Sequence, residues 1–268
     1  MQISLIITTY NWKAALQLVL QSVHAQTLLP MEIVVADDGS GPDTAKVVQE
    51  FGAVSPVPVV HSWQEDKGFR SAKSRNKAIA KAKGEYVILI DGDIVLESHF
   101  VADHRTYAQP GHFVQGPRAL LGRELTARIM EIGRLQLPFL ARGIGNKKNC
   151  LRSKLLAQLF SFKSSSLSGI KTCNFAFWKQ DALRVNGFNE DFIGWGREDS
   201  EFAARLFNSG IRRQNLRFHA LGYHLYHPVN ARDRLAVNDN ILHNTIDERL
   251  KWCAKGIDQY LAGADGYR

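Results

Sequence analysis

Apolar runs that stop on polar or acidic clusters, with helical patterns between them, restrict this chain to few folds. Residues 3–8 form a β-branched apolar run that meets Thr8-Thr9-Tyr10. Residues 32–36 end in Asp37-Asp38-Gly39-Ser40, and residues 86–90, the most strand-like run, end in Asp91-Gly92-Asp93. Residues 13–23 carry a helix-like pattern, Thr44, Val47, Val48 and Phe51 repeat at helical spacing, and residues 57–60 are a short apolar run. Residues 70–83 predict a basic-faced helix stopped by Gly84. Such alternation predicts βαβ units and a mostly parallel sheet buried on both faces. Ligands of such sheets collect beyond the carboxyl ends of the strands, where all three clusters fall.

Composition narrows the class further. The chain has 268 residues, 45% hydrophobic and 22% charged, which excludes disordered and collagen-like chains. That length supports one large core with a smaller appended part. Cys150, Cys173 and Cys253 are an odd, widely spaced set without C-x-x-C, arguing against a disulfide framework and a structural zinc. No apolar run approaches the ~20 residues of a membrane span. The first residues lack the basic region of a signal peptide. A soluble, cytoplasmic protein is the expectation.

The net charge of +8 is confined to one segment. Residues 1–117 carry 10 basic and 12 acidic side chains, residues 164–268 carry 14 and 12, and residues 118–163 carry 10 and 2. Within that segment Leu121, Leu125, Ile129 and Ile132 recur at helical spacing among arginines until Pro138. Leu151, Leu155, Leu159 and Phe162 repeat the pattern beside Arg152, Lys154 and Lys163. Two basic amphipathic helices are predicted. They fit an anionic lipid surface, a core-packed helix with a solvated basic face, or a nucleic acid.

A second constellation follows. Gly194-Trp195-Gly196-Arg197 leads into Glu198-Asp199, after which Phe202, Leu206 and Phe207 repeat at helical spacing and Gly210 stands where a cap belongs. Acids in a first helical turn are favoured by the macrodipole whatever their chemistry. Beside a glycine–tryptophan loop, Asp199 is also a candidate general base, Glu198 a partner for a substrate hydroxyl, and Trp195 a flat platform for a sugar ring. Asp91-Gly92-Asp93 suits Mg²⁺ or Mn²⁺ held jointly with phosphates, or a plain polar turn. His224 and His227 are metal ligands or structural histidines. Serine-hydrolase, P-loop and zincin signatures are absent from the sequence. The tail beyond Asp239 predicts one or two helices.

Thr8-Thr9-Tyr10-Asn11, Val35-Ala36-Asp37-Asp38-Gly39-Ser40 and Gly84-Glu85-Tyr86 through Asp91-Gly92-Asp93 resemble the nucleotide-sugar half of family 2 glycosyltransferases with the GT-A fold. Asn174-Phe175-Ala176, Gly187-Phe188 and Trp195-Gly196-Arg197-Glu198-Asp199 are similar to the acceptor half of β-1,4-galactosyltransferases and chondroitin polymerases. The likeness covers about residues 2–117 and 171–228. It implies a Rossmann-like α/β fold divided into a nucleotide-sugar half (1–117), a basic helical insertion (118–170) and an acceptor and catalytic-base half (171–268) of one continuous domain.

Residue by residue, the resemblance implies that Thr8 and Tyr10 flank the nucleobase and Asp38 bonds its edge. Arg70, and further Arg75, approach the donor, and Asp91 sits near the ribose. Asp93 binds Mn²⁺ or Mg²⁺ with His224, His227 being the second choice. Trp195, Arg197 and Glu198 hold the acceptor, and Asp199 deprotonates it. Arg197 stands where the family pattern has a small residue, which suggests an anionic acceptor. The expected activity is metal-dependent, inverting transfer from a UDP-sugar to a glycan or lipid-linked glycan in lipopolysaccharide or capsule assembly. The chain would be cytoplasmic, peripheral on the inner membrane through residues 118–163. A sugar-nucleotide pyrophosphorylase and a nucleic-acid-binding protein are the competing readings; no nucleic acid is expected.

Overall fold

A computed structural model describes residues 1–135, 142–228 and 232–261. The first part alternates as predicted: β1 (Ile3–Thr9), α1 (Lys13–His24), β2 (Glu32–Asp37), α2 (Pro42–Val54), β3 (Val59–Trp63), α3 (Ser71–Lys81) and β4 (Tyr86–Asp91). There follow β5 (Ile94–Leu96), α4 (Phe100–Tyr107), β6 (His112–Gln115), β7 (Arg118–Leu121), α5 (Arg123–Ile132), β8 (Ile144–Gly145), α6 (Lys154–Phe160) and β9 (Phe162–Ser164). The last part holds β10 (Asn174–Trp178), α7 (Lys179–Arg184), α8 (Glu198–Asn208), β11 (Arg212–Asn215), β12 (Gly222–His224) and α9 (Leu235–Asp247).

The main sheet runs β3-β2-β1-β4-β10-β6-β11-β9. Its first four strands are parallel, and β10 is antiparallel to both β4 and β6. Strand order reverses at β1, which has β2 on one side and β4 on the other, and this opens a crevice at their carboxyl ends. The register sets Thr8 beside Asp91 and Thr9 beside Asp37, so the three sequence clusters rim one crevice. A second sheet, β5-β12-β7-β8, brings the far end of the chain to the same place. There His224 lies opposite Ile94, the residue after Asp93.

Alternate residues of the parallel strands fill two cores. Leu5, Ile7, Ile33, Val35, Ile88 and Ile90 face α1 and α2, whereas Ile6, Val34, Val87 and Leu89 face α3 and α8. On the second face, Phe202 of α8 stacks on Phe188 at 4.3 Å and meets Phe177 edge-on at 5.5 Å. Truncating an aromatic buried this way costs ~3–5 kcal/mol, which makes the position of α8 a rigid property of the fold.

The basic segment differs from its expectation. Residues 118–170 contain strands β7, β8 and β9 as well as α5 and α6, because the strands complete both sheets. Phe162, expected on the second helix, lies in β9 opposite Asn215. Pro138, the expected end of the first helix, lies outside the described residues; α5 stops earlier, at Gly133 in the left-handed region (φ 71°). No helix among the described residues is long and apolar enough to cross a membrane.

Candidate active site

At the crevice, Thr8 Oγ1 donates to Asp91 Oδ1 at 3.0 Å, tying the ends of β1 and β4 together. Gly92 N–H donates to the Thr8 carbonyl at 2.6 Å, and a Cβ on Gly92 would stand 2.5 Å from that oxygen. Only glycine permits this approach, and it fixes where Asp91 and Asp93 leave the sheet. Asp38 Oδ1 accepts from Gln64 at 2.6 Å, and Oδ2 accepts from the backbone N–H of Arg70 at 2.8 Å. Burial raises the Asp38 carboxyl, partly offset by those two donors. Tyr10 is exposed on the rim with its hydroxyl donating to Asp66 Oδ2 at 2.9 Å. Arg70 begins α3 beside Asp38.

Asp93, His224 and His227 converge, with ligating atoms within 4.8 Å of one another. His224 Nε2 lies 3.6 Å and His227 Nε2 3.3 Å from Asp93 Oδ2. The sequence ranked His224 above His227; the structure brings both to the carboxylate. His227 Nδ1 donates to the Pro228 carbonyl at 2.7 Å, which orients the ring with Nε2 toward Asp93. Burial, with the Asp91 charge, pushes the Asp93 carboxyl up to about 8. Asp93 Oδ1 is buried without a hydrogen-bond partner among the described residues. Burial, then the Arg118 charge, push His224 down to about 4, so it is neutral with a free lone pair. A carboxyl group with one orphaned oxygen and two imidazoles against the other fits a divalent cation.

The acceptor motif arrives from the other side. Gly194 (φ 76°), Gly196 (φ 107°) and Arg197 (φ 77°) turn the loop through left-handed backbone before α8 starts. Arg75, expected at the donor, is buried among carboxylates. Its guanidinium lies 3.0 Å from Glu198 Oε1 and 3.7 Å from Asp91 Oδ1. Glu198 Oε2 is buried without a partner among the described residues. Asp199, next to it, accepts from Ser200 N–H at 2.7 Å. Desolvation, then the Glu198 charge, push Asp199 up to about 7. Trp195 is partly exposed, with the Arg232 guanidinium 5.1 Å over its ring. Arg197 bonds Asp239 of α9, so its charge is already paired.

The sequence missed the parts that act across long separations. Asn76 of α3 donates to the Phe188 carbonyl at 2.7 Å and accepts from Phe188 N–H at 2.7 Å, joining the donor helix to the acceptor half. Asn238 of α9 donates to the Gly196 carbonyl at 2.9 Å, so the unassigned tail holds the tryptophan loop. Neither residue carries a sequence signal, since an isolated asparagine reads as a surface or turn residue.

Comparison with known proteins agrees with this geometry. The model of glycosyl transferase family 2 matches residues 4–144. The chain belongs to that family. A second model, described as the N-terminal domain of galactosyltransferase, matches residues 154–228. Chondroitin synthase of Escherichia coli is 27% identical over 93% of the chain, which spans 38% of that synthase. Validoxylamine A glucosyltransferase of Streptomyces hygroscopicus subsp. limoneus is 30% identical over 78% of the chain, 48% of its own length. The S. aureus TarS 1–349 structure in complex with UDP has a TM-score of 0.64 at 18% identity, covering 98% of this chain and 70% of that one. The architecture is therefore the GT-A fold expected from the sequence. Family membership sets aside the pyrophosphorylase and nucleic-acid-binding readings.

Proposed function

We propose that this family 2 glycosyltransferase is metal-dependent and inverting, moving a sugar from a UDP-sugar to a hydroxyl of a glycan acceptor. The observation that carries the reading is Arg75, whose bridge from Asp91 to Glu198 joins two acidic motifs 107 positions apart in one cleft. Thr8, Tyr10, Asp38 and Arg70 rim the nucleotide end, and Asp91 the ribose. Asp93, His224 and His227 would hold the cation, and the two imidazoles favour Mn²⁺ over Mg²⁺. A bound divalent cation supplies charge neutralisation for the leaving diphosphate. A UDP-containing structure with the same fold supports the nucleotide.

Glu198 Oε2 accepts a hydrogen bond from the acceptor sugar, with Trp195 beneath the ring and Arg197 at its edge. Asp199 takes the proton of the attacking hydroxyl as that oxygen bonds the anomeric carbon and the carbon–oxygen bond to UDP breaks. One base and one displacement invert the anomeric centre. A base with a pKa near 7 is well matched to this step, typically worth ~10²–10⁴-fold. Arg75 touches neither reactant; its bond to Glu198 Oε1 holds that carboxylate in place, and it is a positioning residue. The setting proposed is bacterial lipopolysaccharide or capsule assembly, with a lipid-linked acceptor met at the cytoplasmic face of the membrane. A panel of UDP-sugars assayed for released UDP tests the reading. One donor should be consumed, stopped by EDTA and restored by Mn²⁺; consumption unaffected by EDTA would contradict it.

A further inference from the structure

The two basic amphipathic patterns of the sequence have opposite fates. In α5, Ile129 is 1% exposed and, with Leu121, belongs to the core shared with α1. In α6 the leucines are outside: Leu155 is 65% and Leu159 66% exposed, one turn apart on the same side. Phe160 and Phe162, the next apolar residues along the chain, are 56% and 47% exposed.

The face is held rigidly. Arg152 clamps Asp103 through two bonds of 3.0 and 2.6 Å, and Ser153 caps the helix on Leu156 N–H. Ser153 N–H donates to the Phe218 carbonyl at 3.0 Å, and Arg217 N–H to Ser161 Oγ at 3.1 Å. Ala157 is fully buried on the inner side, so α6 is docked by its smallest apolar residue and displays its largest.

The surroundings are cationic. Residues 132–180 include nine Lys or Arg and no Asp or Glu. Lys154 and Lys163 flank the leucines and are exposed, with no carboxylate partner among the described residues. Arg217 stacks 6.0 Å over Phe162. A second copy of the chain presenting this face would set cation against cation, which disfavours a symmetric contact. Apolar side chains flanked by the exposed Lys154 and Lys163 complement acyl chains beneath anionic headgroups.

We propose that the α6–β9 face docks on an anionic lipid surface. β9 is the sheet edge four strands from β4, about 19 Å at the usual strand spacing, so docking there brings the cleft within reach of headgroup-linked acceptors. Lipid binding is independent of the transfer chemistry proposed above, and the two can fail separately.

The test is co-sedimentation of the full chain with vesicles of phosphatidylcholine alone or mixed with phosphatidylglycerol. Wild type should bind the mixed vesicles, at least tenfold more weakly at high salt, and the pure ones poorly. Leu155→Ser with Leu159→Ser, and Lys154→Glu with Lys163→Glu, should each weaken binding at least tenfold. Both variants should keep the wild-type melting temperature and the solution rate of UDP release. Equal binding to both vesicle types, binding unchanged in both variants, or no binding at all would overturn the proposal. So would a dimer in solution that the leucine variant dissolves, which would make a second copy the occupant.

Discussion

Asp93 and Asp199 are both acids raised by desolvation next to another carboxylate, yet their neighbours differ in kind. Asp93 faces two imidazoles, of which His224 is held neutral, and has an oxygen with no partner among the described residues. The Arg118 charge offsets only part of the rise, which suits the proposed role of holding a cation brought from outside. Asp199 sits beside Glu198, whose charge is met by buried Arg75. Arg75 bonds Glu198 directly and reaches Asp199 only through its charge, which suits the proposed role of Asp199 as the base. Identical side chains acquire separate chemistry from what lies within a few ångströms.

The largest expected effect breaks the proton half alone. Asp199→Asn should lower transfer ~10²–10⁴-fold while UDP binding is kept. In wild type the active form is the deprotonated one. With the Asp199 pKa at about 7, kcat/KM should rise tenfold per pH unit below that value and level off above it. A flat profile between pH 5 and 8 would remove Asp199 from the base role.

Next comes the bridge between the halves. Arg75→Met leaves Glu198 buried and unpaired, which should cost ~3–5 kcal/mol in denaturant titration. Adding Glu198→Gln removes the stranded charge and should recover most of that loss. If the double variant is as unstable as the single one, Arg75 acts through packing on the Phe188 ring instead.

The smallest effect concerns Arg197. Glycine there relieves the left-handed backbone, worth ~1–2 kcal/mol, and forfeits an exposed pair with Asp239, worth ~0–1 kcal/mol. Arg197→Gly should therefore leave stability unchanged or raise it by up to ~2 kcal/mol. Because Asp239 pairs the Arg197 charge, the variant should also leave any preference for charged acceptors little changed.

What the sequence made legible follows period and local chemistry. The parallel strands, their helices and the three carboxyl-end clusters depend on patterns a few residues long, and the fold bears them out. The start of α8 at Glu198 was equally legible from the glycine loop and the acid-rich first turn. Contacts across a hundred residues were not. The resemblance suggests a donor role for Arg75, but its pairing with Glu198, 123 positions away, has no local pattern to predict it. His224 stands above His227 in sequence because it aligns better with the family's metal-binding histidine, whereas the structure brings both to Asp93. The matching leucine patterns of α5 and α6 show the same limit: period marks an apolar face without saying what covers it.

The division of labour between the two acids is tested most directly by calorimetric UDP affinity with and without Mn²⁺ in wild type, Asp93→Asn and Asp199→Asn. Mn²⁺ should tighten UDP binding in wild type and Asp199→Asn alike, and leave Asp93→Asn at its metal-free affinity. A Mn²⁺ effect that survives in Asp93→Asn, or disappears in Asp199→Asn, would contradict the account.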